Sequence, residues 1–266
     1  MRCRLDIPSD AQRLVHGEAD GLPGLIVDRY ADVLVAQFLS AGAARWRDRL
    51  VPLLLEVSSA SCLYERSDSA VRDLEGLSPE EGWRHGGGGT EVEIREHDWS
   101  FSLDFGAGHK TGYYLDQRDN RKLLADWVAR LGCASVLNCH AYTGGFTVAA
   151  LKGGAREVVS VDTSAPSLGR ARRNVALNGF DDDALDFVEA DANATIRRFV
   201  EEGRRFDAIV LDPPKFAASA KQVERAARAY KDINRVALMA LAPGGMLMTF
   251  SCSGAVGAEL FHKIVA

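Results

Sequence analysis

The chain has 266 residues, of which 47% are hydrophobic and 26% are charged, and its net charge is −5. This composition is ordinary for a folded globular protein. The negative net charge argues against nonspecific binding to nucleic acid through charge alone. No apolar run is long enough to span a membrane, and the opening residues lack the apolar core of a signal peptide. The five cysteines are scattered without CxxC spacing, so neither a metal site nor a disulfide framework is predicted. We therefore expect a reduced, cytoplasmic protein.

The first hundred residues carry the patterns of short strands and hairpins. A hairpin is predicted from Gly24–Tyr30 and Val33–Leu39, around a turn at Ala31-Asp32. The other predicted elements are a helix over Arg45–Glu56, a strand over Cys62–Glu65, a glycine loop at Gly86–Gly89 and a second hairpin over Glu91–Phe105. Together these patterns predict a small, hairpin-rich α+β domain over residues 1–104.

From Asn120 the pattern changes to helices alternating with continuous apolar strands, which is typical of a parallel sheet covered on both faces. The predicted strands are Val136–Cys139, Val158–Val161, Leu185–Glu189, Ala208–Leu211 and Gly245–Ser251. The predicted helices are one carrying Leu123 to Leu131, one following Gly145, then Ser164–Leu177, Ala192–Glu202 and Lys221–Leu241. Residues 105–266 are thus expected to form a doubly wound α/β sheet, with ligands at the carboxyl ends of its strands.

The stretch Val136–Asp162 forms a βαβ pattern with a turn of small residues, Ala141–Gly145, after its first strand. Backbone can approach a nucleoside at such glycines, and the acid that ends the second strand, Asp162, can accept hydrogen bonds from ribose hydroxyls. The turn is not GxGxxG and is too short for a Walker loop, which argues against a dinucleotide or P-loop site. On this stretch alone, an ordinary crossover with a glycine-rich connection is an equal alternative.

Polar residues follow every predicted strand of this domain. The segments are Asn138–Gly145, Asp162–Ser164, Asp191-Ala192, Asp212–Phe216 and Ser251–Gly254. Because the carboxyl ends of parallel strands meet at one edge of a sheet, these side chains should converge on one crevice. Acids after the second and third strands suit a nucleoside whose ribose and adenine amino group both donate. The pattern favours S-adenosylmethionine over NAD.

Several longer motifs resemble one known family. They are Tyr142-Thr-Gly-Gly-Phe146, Asp212-Pro-Pro-Lys-Phe216, Ser251-Cys-Ser-Gly254 and the segment 109–118, with Gly21–Gly24 and Arg66–Asp68 in the first hundred residues. Together they resemble the cytosine-C5 methyltransferases of large-subunit ribosomal RNA, the ribosomal RNA large subunit methyltransferase I family. The resemblance implies a class I, Rossmann-like methyltransferase fold, the cofactor S-adenosylmethionine and a large-subunit ribosomal RNA substrate. The target nucleotide and the oligomeric state are left open, a homodimer being one option.

The resemblance also implies roles for individual residues. Cys252 would be the nucleophile that adds to C6 of cytosine, with Lys215 helping its deprotonation. Asp212 would hydrogen-bond the flipped base and supply a proton. The alternatives are an inert buried thiol for Cys252 and a plain strand-ending turn for the Asp-Pro-Pro segment. The cofactor-binding residues implied are Asn138, Tyr142, Thr143, Gly144, Gly145, Phe146, Asp162, Thr163, Ser164, Asp191, Ala192, Asp212 and Pro213.

Two further candidates precede the first helix of the α/β domain. Gln117 and Arg118 lie there, and a guanidinium at that place could clamp the methionine carboxylate of the cofactor. A surface charge at a helix start is an equal alternative for Arg118. On a later helix, Arg225, Arg228, Lys231 and Arg235 share a face that could track RNA phosphates, or be a solvated face balanced by acids.

The chain departs from related patterns in three places. Other RNA cytosine-C5 enzymes carry a second cysteine where this chain has Lys215, so the base that removes the C5 proton is unassigned. Asn138 stands where many methyltransferases have an acid. The family also has an N-terminal RNA-binding PUA domain and further C-terminal strands, so we expect a fragment or a short form with an exposed sheet edge. The rival functions are an exocyclic-amine or guanine methyltransferase and a truncated, inactive RNA-binding or assembly factor.

Overall fold

The computed structural model describes residues 6–68, 71–108, 111–181, 185–217 and 219–266. The chain divides into two compact units, Met1–Arg118 and Asp119–Ala266. The segment that follows the predicted boundary at residue 104 is bonded within the first unit. Arg66 Nη1 donates to the carbonyl of Phe105 at 2.9 Å, and the Tyr30 hydroxyl lies 3.0 Å from Thr111 Oγ1. None of the described helices is both long enough and apolar enough to cross a bilayer.

The first unit contains a mixed sheet and a separate hairpin. Its strands are β1 (Ala11–His16), β2 (Leu25–Tyr30), β3 (Val33–Phe38), β4 (Cys62–Ser67), β5 (Glu80–His85), β6 (Glu91–Glu96) and β7 (Trp99–Asp104). Strands β1 to β5 form the sheet in that order, and β6 pairs with β7. Strands β3 and β4 are parallel, whereas the other described pairs are antiparallel. The helices are α1 (Ala41–Ser58), which packs on this sheet, and the single turn α2 (Val71–Leu74).

The predicted hairpins of this unit are confirmed. Tyr30 pairs with Val33, so Ala31 and Asp32 form the turn between β2 and β3. Helix α1 begins earlier than the predicted Arg45, because the Ser40 hydroxyl caps it by accepting from the amide of Ala43 at 3.1 Å. Strands β1 and β5 have no counterpart in the sequence prediction.

The second unit is a parallel sheet covered by helices. Its strands are β8 (Ser135–Cys139), β9 (Glu157–Asp162), β10 (Leu185–Glu189), β11 (Phe206–Leu211) and β12 (Leu241–Thr249). Its helices are α3 (Arg118–Leu131), α4 (Gly145–Lys152), α5 (Ala165–Leu177), α6 (Ala192–Glu201), α7 (Val223–Ala240) and α8 (Ala258–Val265). The predicted alternation of strands and helices is confirmed.

The strand order places a ligand crevice at a definite point. In the described part of the chain the sheet has the order β10-β9-β8-β11-β12, and all neighbours are parallel. The chain therefore winds outward from β8 through β9 to β10 and then returns to the other side of β8 at β11. Such a reversal opens a crevice at the carboxyl ends of the two central strands, here β8 and β11.

A continuous apolar core holds these strand ends in place. Leu137, Val159 and Ile209 from adjacent strands are fully buried, and Phe199 of α6 and Val236 of α7 close over them. Because both faces of the central strands are covered, their backbone positions are fixed by packing. The loops that leave their carboxyl ends therefore start from rigid points.

Candidate active site

The loop after β8, residues 140–144, is called here the glycine turn, and its backbone is strained. His140, Tyr142 and Gly144 have φ angles of +59°, +47° and +79°. A left-handed conformation costs a residue with a Cβ about 1–2 kcal/mol, and such strain concentrates at functional sites. The amide of Ala141 donates to the carbonyl of Val161 at 3.0 Å, and the amide of Gly144 donates to that of Ala141 at 2.9 Å. These bonds hold the turn in the strained form.

Gly144 is required at its position for a second reason. A Cβ there would lie 2.8 Å from Ala171 Cβ and 3.0 Å from Ala171 Cα, on helix α5. Glycine thus allows the start of α4, at Gly145, to approach α5 closely. This contact fixes the position of the glycine turn against α5.

Asp162, the last residue of β9, ties the glycine turn to the next strand. Its Oδ2 accepts from the amide of Tyr142 at 2.9 Å, and its Oδ1 accepts from the amide of Ser164 at 2.9 Å. Each carboxylate oxygen can accept a second hydrogen bond. The side chain therefore fixes the turn and keeps acceptor capacity for a ligand's hydroxyl groups.

Three buried polar atoms beside the turn have no hydrogen-bond partner among the described residues. They are Asn138 Oδ1, His140 Nε2 and Thr143 Oγ1. The other end of the Asn138 amide is well bonded, since its Nδ2 donates to Thr147 Oγ1 at 3.0 Å. Buried polar atoms are nearly always paired in native proteins. Three unpaired atoms at the carboxyl end of a central strand are what a polar ligand would satisfy.

Two carboxylates that follow neighbouring strands act on His140 through their charges. Burial lowers the pKa of its imidazole, and the charges of Asp162 and Asp191 oppose that shift. Asp191 also caps α6, with its Oδ1 accepting from the amide of Ala194 at 2.8 Å. The acids after the second and third strands of this unit therefore act on one point, as the sequence predicts.

Two loops carry the residues predicted to be catalytic and are called here the catalytic loops: residues 212–217 after β11 and residues 250–254 after β12. They meet because these strands are parallel neighbours. Cys252 Sγ lies 3.7 Å from the carbonyl oxygen of Pro213. The amide of Asp212 lies 3.5 Å from the carbonyl of Cys139 at the end of β8, where the glycine turn begins. Cys252 is exposed, and Asp212 is half-buried. Cys252 is therefore not a buried thiol, and its reactivity stays a prediction.

The remaining predicted site residues take up positions around these loops. Gly145 and Phe146 begin α4, and the Phe146 ring stacks on Phe250 with centroids 5.5 Å apart. Ser164 caps α5, Thr163 and Lys215 are exposed, and Ala192 and Pro213 are buried. Their contacts with a cofactor or substrate stay predictions.

Gln117 and Arg118 belong to the first unit. Arg118 Nη2 donates to the carbonyl of Ala11 at 2.5 Å, and its Nε lies 3.9 Å from the Glu96 carboxylate. The guanidinium thus has partners within its own unit. The predicted role of these two residues in clamping a carboxylate stays a prediction.

Sequence reasoning missed two residues on helices that hydrogen-bond to the loops of the site. Tyr230 of α7 bonds to Ser253, which follows the cysteine, and Asn174 of α5 donates to the carbonyl of Thr143 at 2.8 Å. Ser253 stands inside a motif that the sequence analysis quotes, but its partners are far along the chain. Nothing in the local pattern marks Tyr230 or Asn174.

The residues present fit a nucleoside cofactor that carries an amino-acid end. Asp162 offers acceptors for ribose hydroxyls, and Asp191 offers an acceptor after the neighbouring strand. The unpaired Thr143 Oγ1 and Asn138 Oδ1 can bond polar groups that approach the strained turn. S-adenosylmethionine has groups of each of these kinds.

Comparisons with known proteins give the same cofactor. A family model described as S-adenosylmethionine-dependent methyltransferase matches residues 65–266. The chain is 49% identical over 255 residues to the ribosomal RNA large subunit methyltransferase I of Shewanella denitrificans. It is 50% identical over 255 residues to the protein of the same name from Aeromonas salmonicida. Both alignments cover 96% of this chain and 64% of the relative, so the chain spans less than two thirds of these relatives' length.

A solved structure shows the same fold. A protein described as a methyltransferase, crystallised with S-adenosylhomocysteine, superposes with a TM-score of 0.83 at 25% identity, over 97% of this chain and 65% of the other. The predicted Rossmann-like, class I methyltransferase fold is confirmed. The chain belongs to the S-adenosylmethionine-dependent methyltransferase family.

Proposed function

We propose that this protein methylates C5 of a cytosine in large-subunit ribosomal RNA, with Cys252 as a covalent nucleophile. The observation that carries the proposal is the exposed thiol of Cys252, 3.7 Å from the carbonyl of Pro213 in the Asp-Pro-Pro turn. The relatives named ribosomal RNA large subunit methyltransferase I support the substrate class. S-adenosylmethionine, when bound, supplies an electrophilic methyl group to this site.

Cytosine needs activation before its C5 can accept a methyl group, because C5 is a weak nucleophile. The Cys252 thiolate forms a bond to C6, the electron pair of the C5–C6 double bond forms a C4–C5 double bond, and the pair of the C4–N3 double bond moves onto N3. C5 is then a nucleophilic enamine carbon. Because Cys252 is exposed, a nucleobase has room to approach it. Lys215 is exposed on the facing loop and would favour the negatively charged sulfur.

In this proposal Asp212 acts on the cytosine base rather than on the methyl group. It is half-buried directly after β11, on the same turn as Pro213. A protonated carboxyl there would donate to N3 as C6 is attacked, and its other oxygen would accept from the exocyclic amine. C5 would then take the methyl group that bound S-adenosylmethionine supplies, leaving S-adenosylhomocysteine. The C5 proton would leave to a base, and the electron pair of that bond would re-form the C5–C6 double bond as the Sγ–C6 bond breaks and releases the thiolate. N3 would return its proton to Asp212. No residue is assigned as the base that takes the C5 proton.

Trapping the covalent intermediate tests the proposal. With S-adenosylmethionine and a fragment of large-subunit ribosomal RNA containing 5-fluorocytosine, C5 has no proton to lose and the Sγ–C6 bond persists. We expect a protein–RNA band on a denaturing gel for the unaltered protein. Cys252→Ala should give none, whereas Cys62→Ala, which removes a cysteine of the first unit, should trap normally.

The rival functions give different outcomes in the same set of experiments. An exocyclic-amine or guanine methyltransferase would form no trapped band, and its Cys252→Ala variant would still transfer methyl groups. An inactive RNA-binding or assembly factor would also form no band, and titration calorimetry would show no heat on adding S-adenosylmethionine. Either pattern would replace the proposal.

A further inference from the structure

A cluster of buried hydroxyl groups lies behind the catalytic loops. Ser253 Oγ accepts from the amides of Phe216 at 3.0 Å and Ala217 at 3.1 Å, and it lies 3.0 Å from Tyr230 Oη. Ser253 is 2% exposed and Tyr230 is fully buried. Ser253 Oγ meets two backbone N–H groups and the Tyr230 hydroxyl, and either hydroxyl of that pair can be the donor. One hydroxyl thus joins three separate segments of the chain.

Ser251 completes the cluster from the other side of the cysteine. Its hydroxyl donates to Tyr230 Oη at 3.0 Å and accepts from the amide of Ser253 at 3.3 Å. Both serines that flank Cys252 are therefore bonded to the same tyrosine. The backbone that carries the thiol has an anchor on each side.

Tyr230 is itself held firmly. Its ring packs against Phe216, with centroids 4.7 Å apart, and edge-on against Phe261, with centroids 5.3 Å apart. Tyr230 lies on helix α7. The residues that its hydroxyl meets, Ser251 and Ser253, lie in a loop outside the strands and helices. The helix therefore supplies a fixed point for two otherwise irregular loops.

The partners of Ser253 Oγ distinguish a residue that stabilises its own loop from one that connects the two catalytic loops. A serine that only stabilised its own loop would bond within residues 250–254. Ser253 Oγ instead accepts from two amides of the facing loop, those of Phe216 and Ala217, which follow the Asp-Pro-Pro turn. Its hydroxyl therefore sets the separation between the loop that carries Cys252 and the loop that carries Asp212.

Building on the proposed function, we propose that Tyr230 and Ser253 are positioning residues, which hold Cys252 at its working distance from Asp212. A displacement of about 1 Å in a reacting group can cost about a hundredfold in rate. The bonds of the hydroxyl cluster described above run to the loops after β11 and β12, so its loss should change the chemical step and leave cofactor binding intact.

The test compares Tyr230→Phe, Ser253→Ala and the double variant in RNA methylation. Tyr230→Phe keeps the packed ring and removes only the hydroxyl. We expect kcat, and the rate of covalent trapping, to fall by about 10- to 100-fold, with KM for S-adenosylmethionine within about twofold of the unaltered protein. Because both variants break one linkage, the double variant should be no slower than the slower single variant.

Tyr30→Phe is the matched control. It removes another buried tyrosine hydroxyl, which lies 3.0 Å from Thr111 Oγ1 in the first unit. It should lower the melting temperature about as much as Tyr230→Phe and leave kcat unchanged. If Ser253→Ala fails to fold, Ser251→Ala, which removes the other bond to the tyrosine, takes its place.

The outcomes separate this inference from the proposed function. Normal kcat in folded Tyr230→Phe, with an inactive Cys252→Ala, would overturn the positioning role alone. Equal losses of kcat in Tyr230→Phe and Tyr30→Phe would overturn it too, because a general loss of stability would then explain both. Full methylation by Cys252→Ala would overturn the proposed function and the positioning role together.

Discussion

The glycine turn and the catalytic loops lie at the carboxyl ends of the same sheet, but they are built by different means. The glycine turn is held by backbone amides and one carboxylate, and three buried polar atoms beside it lack partners among the described residues. The catalytic loops are held by hydroxyl groups that bond one another and the facing backbone. Unpaired buried atoms indicate a place for a ligand, whereas hydroxyl groups that bond one another indicate a scaffold. Changes in the two regions should therefore have separable effects.

Gly144→Ala should break the glycine turn and give the largest loss of stability. The added Cβ would meet Ala171 at 2.8 Å in a backbone with a φ of +79°. We expect the free energy of unfolding to fall by about 3 kcal/mol, from overpacking and left-handed strain together. Binding of S-adenosylmethionine should be lost. Urea denaturation and titration calorimetry measure the two effects.

Gly203→Ala is the control for that change. Gly203 has a φ of +75°, but an added Cβ there would meet nothing within 4 Å. It should cost only the left-handed strain, about 1 kcal/mol, and leave cofactor affinity unchanged. Equal losses of stability in the two variants would contradict the close approach to Ala171.

Asp162→Asn should weaken the cofactor more than the fold. An amide NH₂ cannot accept a hydrogen bond, so either the Tyr142 or the Ser164 amide loses its partner, and a ribose acceptor is lost as well. A lost hydrogen bond to a charged group is worth about 1.5–3 kcal/mol. The affinity for S-adenosylmethionine in calorimetry should therefore fall by about 10- to 100-fold.

Asp207→Asn is the counterpart of Asp162→Asn at the amino ends of the strands, opposite the predicted site. Asp207 Oδ2 accepts from the amides of Ala134 at 2.8 Å and Ser135 at 2.9 Å, and these bonds lower the pKa of the carboxyl. The variant should lose stability and keep its cofactor affinity within about twofold, since no ligand role is assigned to this end. Equal weakening of the cofactor by both asparagine variants would contradict the separation.

The pH dependence of His140 should be the smallest effect. Burial lowers its pKa in the folded protein below the ordinary value of 6.5, against the charges of Asp162 and Asp191. The unfolded chain therefore takes up the proton first, and the contribution of His140 to stability is present above pH 6.5 and is lost as the pH falls from there through the folded pKa. His140→Asn, which tolerates the left-handed backbone, should flatten the fall in urea-unfolding free energy between about pH 7.5 and 5.5. Parallel curves for the two proteins would count against the buried neutral imidazole.

The sequence predicts the second unit well because its strands are apolar on both faces. The run Val158–Val161 can be assigned without knowing its neighbours. Strands β1 and β5 escape prediction because they carry charges whose partners lie on other strands. Arg13 of β1 bonds Asp28 at 2.8 Å, and Arg84 of β5 bonds the buried Glu65 at 2.5 Å. A local pattern cannot show that such charges are paired.

The same limit applies to the site. The positions of Asp162 and Cys252 at the carboxyl edge of the sheet can be predicted, because each lies at the end of an apolar strand and parallel strands bring their ends together. Their roles rest on the family resemblance and stay predictions. Tyr230 cannot be predicted, because it reads as one more large residue on the buried face of α7. Its importance depends on how that helix packs behind two loops, and this is set by the whole apolar cluster around Ala217 and Val256.

Analysis of the methylated nucleoside tests the central claim most directly. Large-subunit ribosomal RNA is incubated with the protein and S-adenosylmethionine, digested and analysed by mass spectrometry against nucleoside standards. The account predicts 5-methylcytidine as the product of the unaltered protein and none from Cys252→Ala. A methyl group on an exocyclic amine or on guanosine, or equal product from Cys252→Ala, would contradict it.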